Sequence, residues 1–246
     1  MIYAGILAGG VGSRMTGATV PKQFFPIGGK PILVHTAEKF LMCDKFQKIY
    51  IAVVGGYLDL AQSMIDEYID KSLAARISVI EGGGDRSGSI LKVIERIYED
   101  GGDEKSILVS HDSVRPFVNL AALEENIRLI SGGCCDCAGT AVPSIDTVFE
   151  IDKGGFVTSI PDRSRLCNAQ TPQTFTVGEF LECYGRLSPA DKAALTDACA
   201  VFLRCGKRVL TAKGSSDNIK ITTPFDMKLA ESILNESSNF HGFSDI

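Results

Sequence analysis

No long run of lysine or arginine occurs in the 246 residues, and 25 basic side chains stand against 30 acidic ones for a formal charge of −5. That balance argues against a protein built to grip the phosphate backbone of nucleic acid. No window approaches about eighteen consecutive apolar residues, so no membrane contact through a spanning helix is expected. Residues 1–7 lack a basic n-region and lead into glycines rather than a cleavage site, the pattern expected of a mature cytoplasmic protein. Among the 8 cysteines, the cluster Cys134, Cys135 and Cys137 has neither C-x-x-C spacing nor a nearby histidine, which argues against zinc. Reduced thiols serving as small buried apolar side chains are expected instead.

What is present is an apolar content of 45%, enough for one sizeable domain with its own core. Strand-like segments at 2–8, 47–54, 76–81 and 106–110 alternate with helix-like segments at 31–43, 57–73 and 87–99. Strands separated by helices of that length require right-handed crossovers, so the predicted class is α/β with a mostly parallel, twisted sheet. After residue 132 the pattern changes to short strands at 137–142, 147–151 and 156–160, with a hairpin turn at Asp152-Lys153-Gly154-Gly155. Helices at 177–187, 189–205 and 224–234 and strands at 208–212 and 219–221 complete the reading. It gives one domain over 1–236, a β-arm at about 138–166 and a frayed tail at 237–246.

In an open parallel sheet ligands sit beyond the carboxyl ends of the strands. The first such loop, Leu7-Ala8-Gly9-Gly10-Val11-Gly12-Ser13-Arg14-Met15, brings backbone N–H groups and one cation together, as anion binding requires. It is not the dinucleotide fingerprint, because Met15 stands where the third glycine belongs, and no Walker A lysine follows. Taken alone, the loop is equally a glycine-rich turn. Pro21-Lys22-Gln23 adds a second cation nearby, a combination suited to neutralising a triphosphate. Glu81-Gly82-Gly83-Gly84-Asp85-Arg86-Ser87-Gly88-Ser89 is a second glycine-rich loop, in which Ser87 or Ser89 serves either a ligand or a helix cap. His111-Asp112-Ser113-Val114-Arg115-Pro116 places a carboxylate at a strand end, where Mg²⁺ on substrate phosphates needs one. Alternatively Asp112 caps a turn with Arg115 as its ion-pair partner, and His111 reads as a structural hydrogen-bonding residue. Asp162-Arg163-Ser164-Arg165, Gln170-Thr171-Pro172-Gln173, Thr196-Asp197 and Asp217-Asn218-Ile219-Lys220 each read, singly, as turn, cap or surface features.

In this order, L-A-G-G-x-G-x-R-M, P-K-Q, G-G-x-x-R-x-x-S, H-D-x-x-R-P, T-P-Q-x-F, T-D and D-N-I-K-I-T resemble the cytidylyltransferases that join CTP to a polyol phosphate. The motifs run from Leu7 to Thr222, nearly the whole chain. The resemblance implies a Rossmann-like nucleotidyltransferase domain whose β-arm clasps a second copy in a homodimer. It assigns Arg14, Lys22 and Lys220 to the triphosphate and its departing pyrophosphate. Leu7, Ala8, Gly9, Gly10 and Gly12 would line the phosphates, and Gly82, Gly83, Arg86, Ser89 and Asp112 would hold the nucleoside. Ser113, Arg115, Arg163, Thr171 and Thr196 would receive the polyol phosphate, Arg163 reaching into the neighbouring subunit. Asp112 and Asp217 would position Mg²⁺. Ser113-Val114 between Asp112 and Arg115, and the opening Ile6-Leu7-Ala8-Gly9-Gly10, resemble the branch acting on ribitol 5-phosphate. The sister branch, acting on 2-C-methyl-D-erythritol 4-phosphate, usually carries two alanines between that Asp and Arg. Membership of the ribitol branch implies CDP-ribitol as product, a donor for polyol-phosphate polymers such as teichoic acids.

Overall fold

A computed structural model describes residues 1–10 and 20–240, the side chains of 237–240 excepted. Alternation along β1 (Ile2–Ala8) sends Ala4, Ile6 and Ala8 into one hydrophobic cluster and Tyr3 and Leu7 into another. β2 (Pro26–Ile27) and β3 (Lys30–Pro31) form a small antiparallel pair before helix α1 (Ile32–Leu41). β4 (Lys48–Val53) repeats the alternation of β1, with Ile49, Ile51 and Val53 on the first face and Tyr50 and Ala52 on the second. Each strand is therefore apolar on both sides, as burial between two helical layers demands.

The expected helix at 57–73 is divided into α2 (Leu58–Tyr68) and α3 (Lys71–Ala74), because Asp70 caps a new helix by accepting from Ser72 N. β5 (Ile77–Glu81), α4 (Arg86–Glu99), β6 (Ile107–Asp112), α5 (Leu120–Ser131) and β7 (Cys137–Pro143) follow. The hairpin β8 (Glu150–Ile151) and β9 (Val157–Ser159) turns where the sequence places it, with Asp152 Oδ1 accepting from Gly154 N and Phe156 N and Gly155 at φ +84°. After β10 (Cys167–Thr176) and α6 (Val177–Arg186), the expected helix at 189–205 is again two: α7 (Pro189–Ala193), capped by Ser188, and α8 (Ala198–Arg204), capped by Asp197. β11 (Val209–Lys213) and α9 (Pro224–Phe240) end the described chain. No helix among the described residues is long and apolar enough to cross a membrane.

Seven strands form one sheet in the order β11-β7-β10-β6-β1-β4-β5, all parallel except β10. The fold is α/β with a mostly parallel sheet, as predicted. β10 is not predicted, because Pro172 interrupts a polar stretch. The pairing with β7 is irregular between Ala169 and Gln173, and pairing with β6 begins only at Gln173, so the proline sits where no ladder donor is needed. The predicted strand at 219–221 is irregular chain, with Ile221 N donating to Val114 O at 2.9 Å. Residues 138–143 of the predicted arm belong to the main sheet as β7, and 237–240 of the predicted frayed tail continue α9. Among the cysteines, Cys43, Cys135, Cys137 and Cys183 are buried as expected, whereas Cys134 and Cys167 are exposed.

Candidate active site

Because β1, β5 and β6 run parallel, the loops after them open at one edge of the sheet. There they line a cleft of about 500 Å³ with Leu7, Gly9, Gly10, Gly84, Asp85, Arg86, Ser89, Asp112, Ser113 and Val114, joined by Lys22, Gln23, Lys220 and Thr222. Five sequence-separated motifs thus meet. Arg14 and Gly12 lie outside the described residues.

Asp112 is the centre of the charge arrangement. Its Oδ1 receives Arg86 Nε at 3.3 Å, its Oδ2 receives Lys220 Nζ at 2.8 Å, and Arg115 Nε stands 3.9 Å from Oδ2. Burial alone would raise this carboxyl's pKa, but the Arg86 and Lys220 charges and the Lys220 hydrogen bond overcome it and hold the group well below the usual carboxylate range. Three cations around one anion leave an excess of positive charge. Arg86 Nη1 and Nη2 are buried without a hydrogen-bond partner. Such a cluster suits an anionic ligand.

The carboxylate is fixed from below by a chain of buried hydrogen bonds. His111 Nε2 lies 3.0 Å from Arg115 O, so that nitrogen donates, and Nδ1 accepts from Thr171 Oγ1 at 2.9 Å. Thr171 Oγ1 in turn accepts from Asp112 N at 3.2 Å. Thr171 is 4% exposed and absent from the cleft lining, and its hydroxyl is engaged beneath Asp112, accepting from the Asp112 backbone and donating to His111. Burial lowers the pKa of His111 to about 4, keeping the ring neutral. The unfolded chain takes up that proton near pH 6.5 and the folded chain only near 4, so stability should fall by about 1.4 kcal/mol per pH unit across that window. Chemical denaturation of wild type and His111→Gln from pH 7 to 4 tests this, and the variant should show a flatter profile.

Lys220 reaches Asp112 because its segment is laced to the sheet. Arg115 Nη1 donates to Asn218 O at 2.7 Å, Asn218 Nδ2 donates to Thr171 O at 2.8 Å, and Asp226 Oδ2 accepts from both N–H and hydroxyl of Thr222. Arg115 thereby acts as a strut behind Asp112 and is not part of the cleft lining.

In the second glycine loop, Asp85 is the helix cap, accepting from Gly88 N at 2.7 Å, while Ser89 Oγ donates to Asp85 O and accepts from Gly83 N. Ser89 shapes the loop from a buried position at the cleft wall. A Cβ on Gly83 would lie 2.3 Å from the Gly88 carbonyl carbon, so only glycine allows the loop to fold this tightly against α4. Gly82 and Gly83 themselves are not in the cleft lining, and neither is Ala8. Asp217 is exposed and outside the lining, as are Arg163, whose Nη1 donates to Ile145 O at 3.0 Å, and Thr196 before α8.

Gln23 and Thr222 stand inside the P-K-Q and D-N-I-K-I-T motifs, where the sequence gives them no role; in the fold Gln23 donates to Ala8 O and Thr222 to Asp226 Oδ2.

The family model for 2-C-methyl-D-erythritol 4-phosphate cytidylyltransferase (IspD) matches residues 2–236. Ribitol-5-phosphate cytidylyltransferases from two strains of Streptococcus pneumoniae are 44% identical over 236 residues, covering 95% of this chain and 99% of each relative. The solved 4-diphosphocytidyl-2C-methyl-D-erythritol synthase of Anaerococcus prevotii superposes with a TM-score of 0.78 at 25% identity, covering 95% of this chain and 96% of that one. The Francisella tularensis 2-C-methyl-D-erythritol 4-phosphate cytidylyltransferase gives 0.75 at 26%, covering 94% and 98%. With the ordered motifs, the seven-stranded sheet and the cationic cleft at its strand ends, these likenesses show that the chain belongs to the 2-C-methyl-D-erythritol 4-phosphate cytidylyltransferase (IspD) family.

Proposed function

We propose that this chain transfers the cytidylyl group of CTP to D-ribitol 5-phosphate, giving CDP-ribitol and pyrophosphate. One observation carries the polyol assignment. Ser113 and Val114, the pair at which the two branches differ, line the cleft beside Asp112. The more similar relatives bearing the ribitol name support the same reading. Product analysis by mass spectrometry tests it: equimolar CDP-ribitol and pyrophosphate are expected, and no CDP-ribitol would overturn it.

The reaction is in-line attack by a phosphate oxygen of the polyol on the α-phosphorus of CTP. A phosphate monoester is largely ionised near neutrality, so no general base is needed. The buried, neutral His111, engaged at both ring nitrogens, is not placed to act as one. Lys22 and Lys220, with Arg14 from the first loop, act by positioning and by stabilising charge on the α-phosphate and leaving pyrophosphate.

Mg²⁺ is proposed as the ion carried by the triphosphate, and when bound it neutralises phosphate charge. Such ions take one or two carboxylates plus phosphate oxygens. Asp112 supplies a carboxylate in the cleft, but both its oxygens already accept from Arg86 and Lys220, so the triphosphate itself would hold most of the ion, and Asp217 stands outside the lining. No cluster of three or more His, Cys, Asp or Glu side chains able to hold a metal occurs among the described residues.

The proposal extends to a homodimer in the cytoplasm, supplying CDP-ribitol for polyol-phosphate polymers such as teichoic acids. On residues 144–166 the apolar side chains Ile145, Phe149, Ile151, Phe156, Val157 and Ile160 are each more than half exposed, a surface that calls for a partner. A second copy clasped by this arm would receive Arg163, which its own chain keeps away from the cleft. Phe156→Asp combined with Ile160→Asp should convert dimer to monomer by light scattering and lower kcat/KM for the polyol phosphate at least about tenfold. A variant that stays dimeric and fully active would remove the arm from this role.

A further inference from the structure

We infer that Gln23 is a positioning residue that aligns Lys22 with the phosphate loop. The inference rests on reading the cleft as a CTP site. Gln23 is 1% exposed, yet it belongs to the cleft lining, on the same short 3-10 turn, Lys22–Phe24, that carries Lys22. Its Nε2 donates to Ala8 O at 2.7 Å. Ala8 closes β1, and its carbonyl shares a peptide plane with the N–H of Gly9, which lines the cleft.

A trans peptide points its C=O and N–H in opposite directions. Tying the Ala8 carbonyl to Gln23 therefore fixes the direction of the Gly9 N–H, one of the backbone donors expected to meet a phosphate. The same bond fixes the turn bearing Lys22. Its other side is anchored by Phe24, 4% exposed and stacked on Tyr57 with ring centroids 5.6 Å apart. A single amide thus sets the relation between a lysine and a backbone donor that must act on one triphosphate. Placement errors of about 1 Å in such a site cost on the order of 100-fold in rate.

A buried amide serving only to satisfy Ala8 O would stabilise the fold without acting through Lys22, and the two roles separate experimentally. Gln23→Met keeps the length of the side chain and removes the donor. Gln23→Glu keeps the shape and presents an acceptor to an acceptor. Each variant is compared with wild type for folding by circular dichroism, for kinetics, and for protection of Lys22 by saturating CTP–Mg²⁺ against acetylation, read by peptide mass spectrometry.

The expected result is wild-type secondary structure, marked loss of Lys22 protection, and a kcat lowered about 10- to 100-fold with KM for the polyol phosphate nearly unchanged. In a Lys22→Ala background, Gln23→Met should cost at least about threefold less than in the wild type, because the part of its effect that acts through Lys22 is already gone and only that on the Gly9 N–H remains. Equal rate losses in both backgrounds, unchanged protection of Lys22, or failure of both variants to fold would overturn the inference. If CTP leaves Lys22 unprotected in the wild type, the reading of the cleft as a CTP site fails instead, a result distinct from equal protection in wild type and variants.

Discussion

Asp112→Ala should be the most damaging single substitution in the cleft, costing about 3–5 kcal/mol of stability at neutral pH and lowering kcat at least about 100-fold. The carboxylate accepts from Arg86 and Lys220 and faces Arg115, and its side chain is 12% exposed. Removing it leaves three crowded cations without their counter-charge, the circumstance in which breaking a buried pair is most costly. Asp112→Asn should retain part of the stability, since an amide oxygen still accepts one hydrogen bond.

The pH dependence gives an independent check. A carboxyl with a depressed folded pKa contributes stability above its unfolded pKa, near 3.9, and loses it as the pH falls toward the folded value. Wild type should therefore lose further stability below about pH 4, after the decline caused by His111 at pH 6.5 to 4. Asp112→Asn should show a smaller lower step, since Asp100 and Asp226 also carry depressed pKa values, and should keep the upper one. Urea denaturation across pH 7 to 2.5 measures both, and an unaltered lower step would show that Asp112 is not the group responsible.

Lys22→Ala should have the largest effect on chemistry. Lys22 lines the cleft on a turn whose burial is provided by Gln23 and Phe24, so its side chain can be removed while both anchors stay in place. Loss of one preorganised donor to a developing phosphate charge costs on the order of 10²–10³ in kcat. Lys220→Ala should also slow turnover, but its removal further frees one Asp112 oxygen and should raise that carboxyl's pKa toward the ordinary range. The two lysines are thus distinguishable. The stability step below pH 4 should shift in Lys220→Ala, which loses the Asp112 ion pair, whereas an active Lys22→Ala enzyme would remove Lys22 from the phosphate-binding machinery.

What could be read in the sequence follows from how local each signal is. β1 and β4 alternate between two apolar faces within seven and six residues, and the glycine loops follow their strands directly, so both were legible. Asp112 was legible from its place at a strand end. β10 was hidden because its proline is tolerated only at an irregularity created by two neighbouring strands. The structural partners of Thr171 and Arg115 are not legible in the sequence, because His111 lies sixty residues from Thr171 and the Asn218 carbonyl is distant from Arg115. The splits at Asp70 and Asp197 were missed for another reason: a capping aspartate inside a continuous amphipathic pattern is visible only when the helix restarts there.

In the proposed reaction this cleft joins CTP to ribitol 5-phosphate. The most direct measurement is the rate of pyrophosphate release from CTP and Mg²⁺ with ribitol 5-phosphate and 2-C-methyl-D-erythritol 4-phosphate in parallel, using Lys22→Ala as the blank. Release with ribitol 5-phosphate at a kcat/KM at least about 100-fold above that with the methylerythritol substrate, and near zero in the blank, is the predicted result. Preference for the methylerythritol substrate, or release from neither, would contradict it.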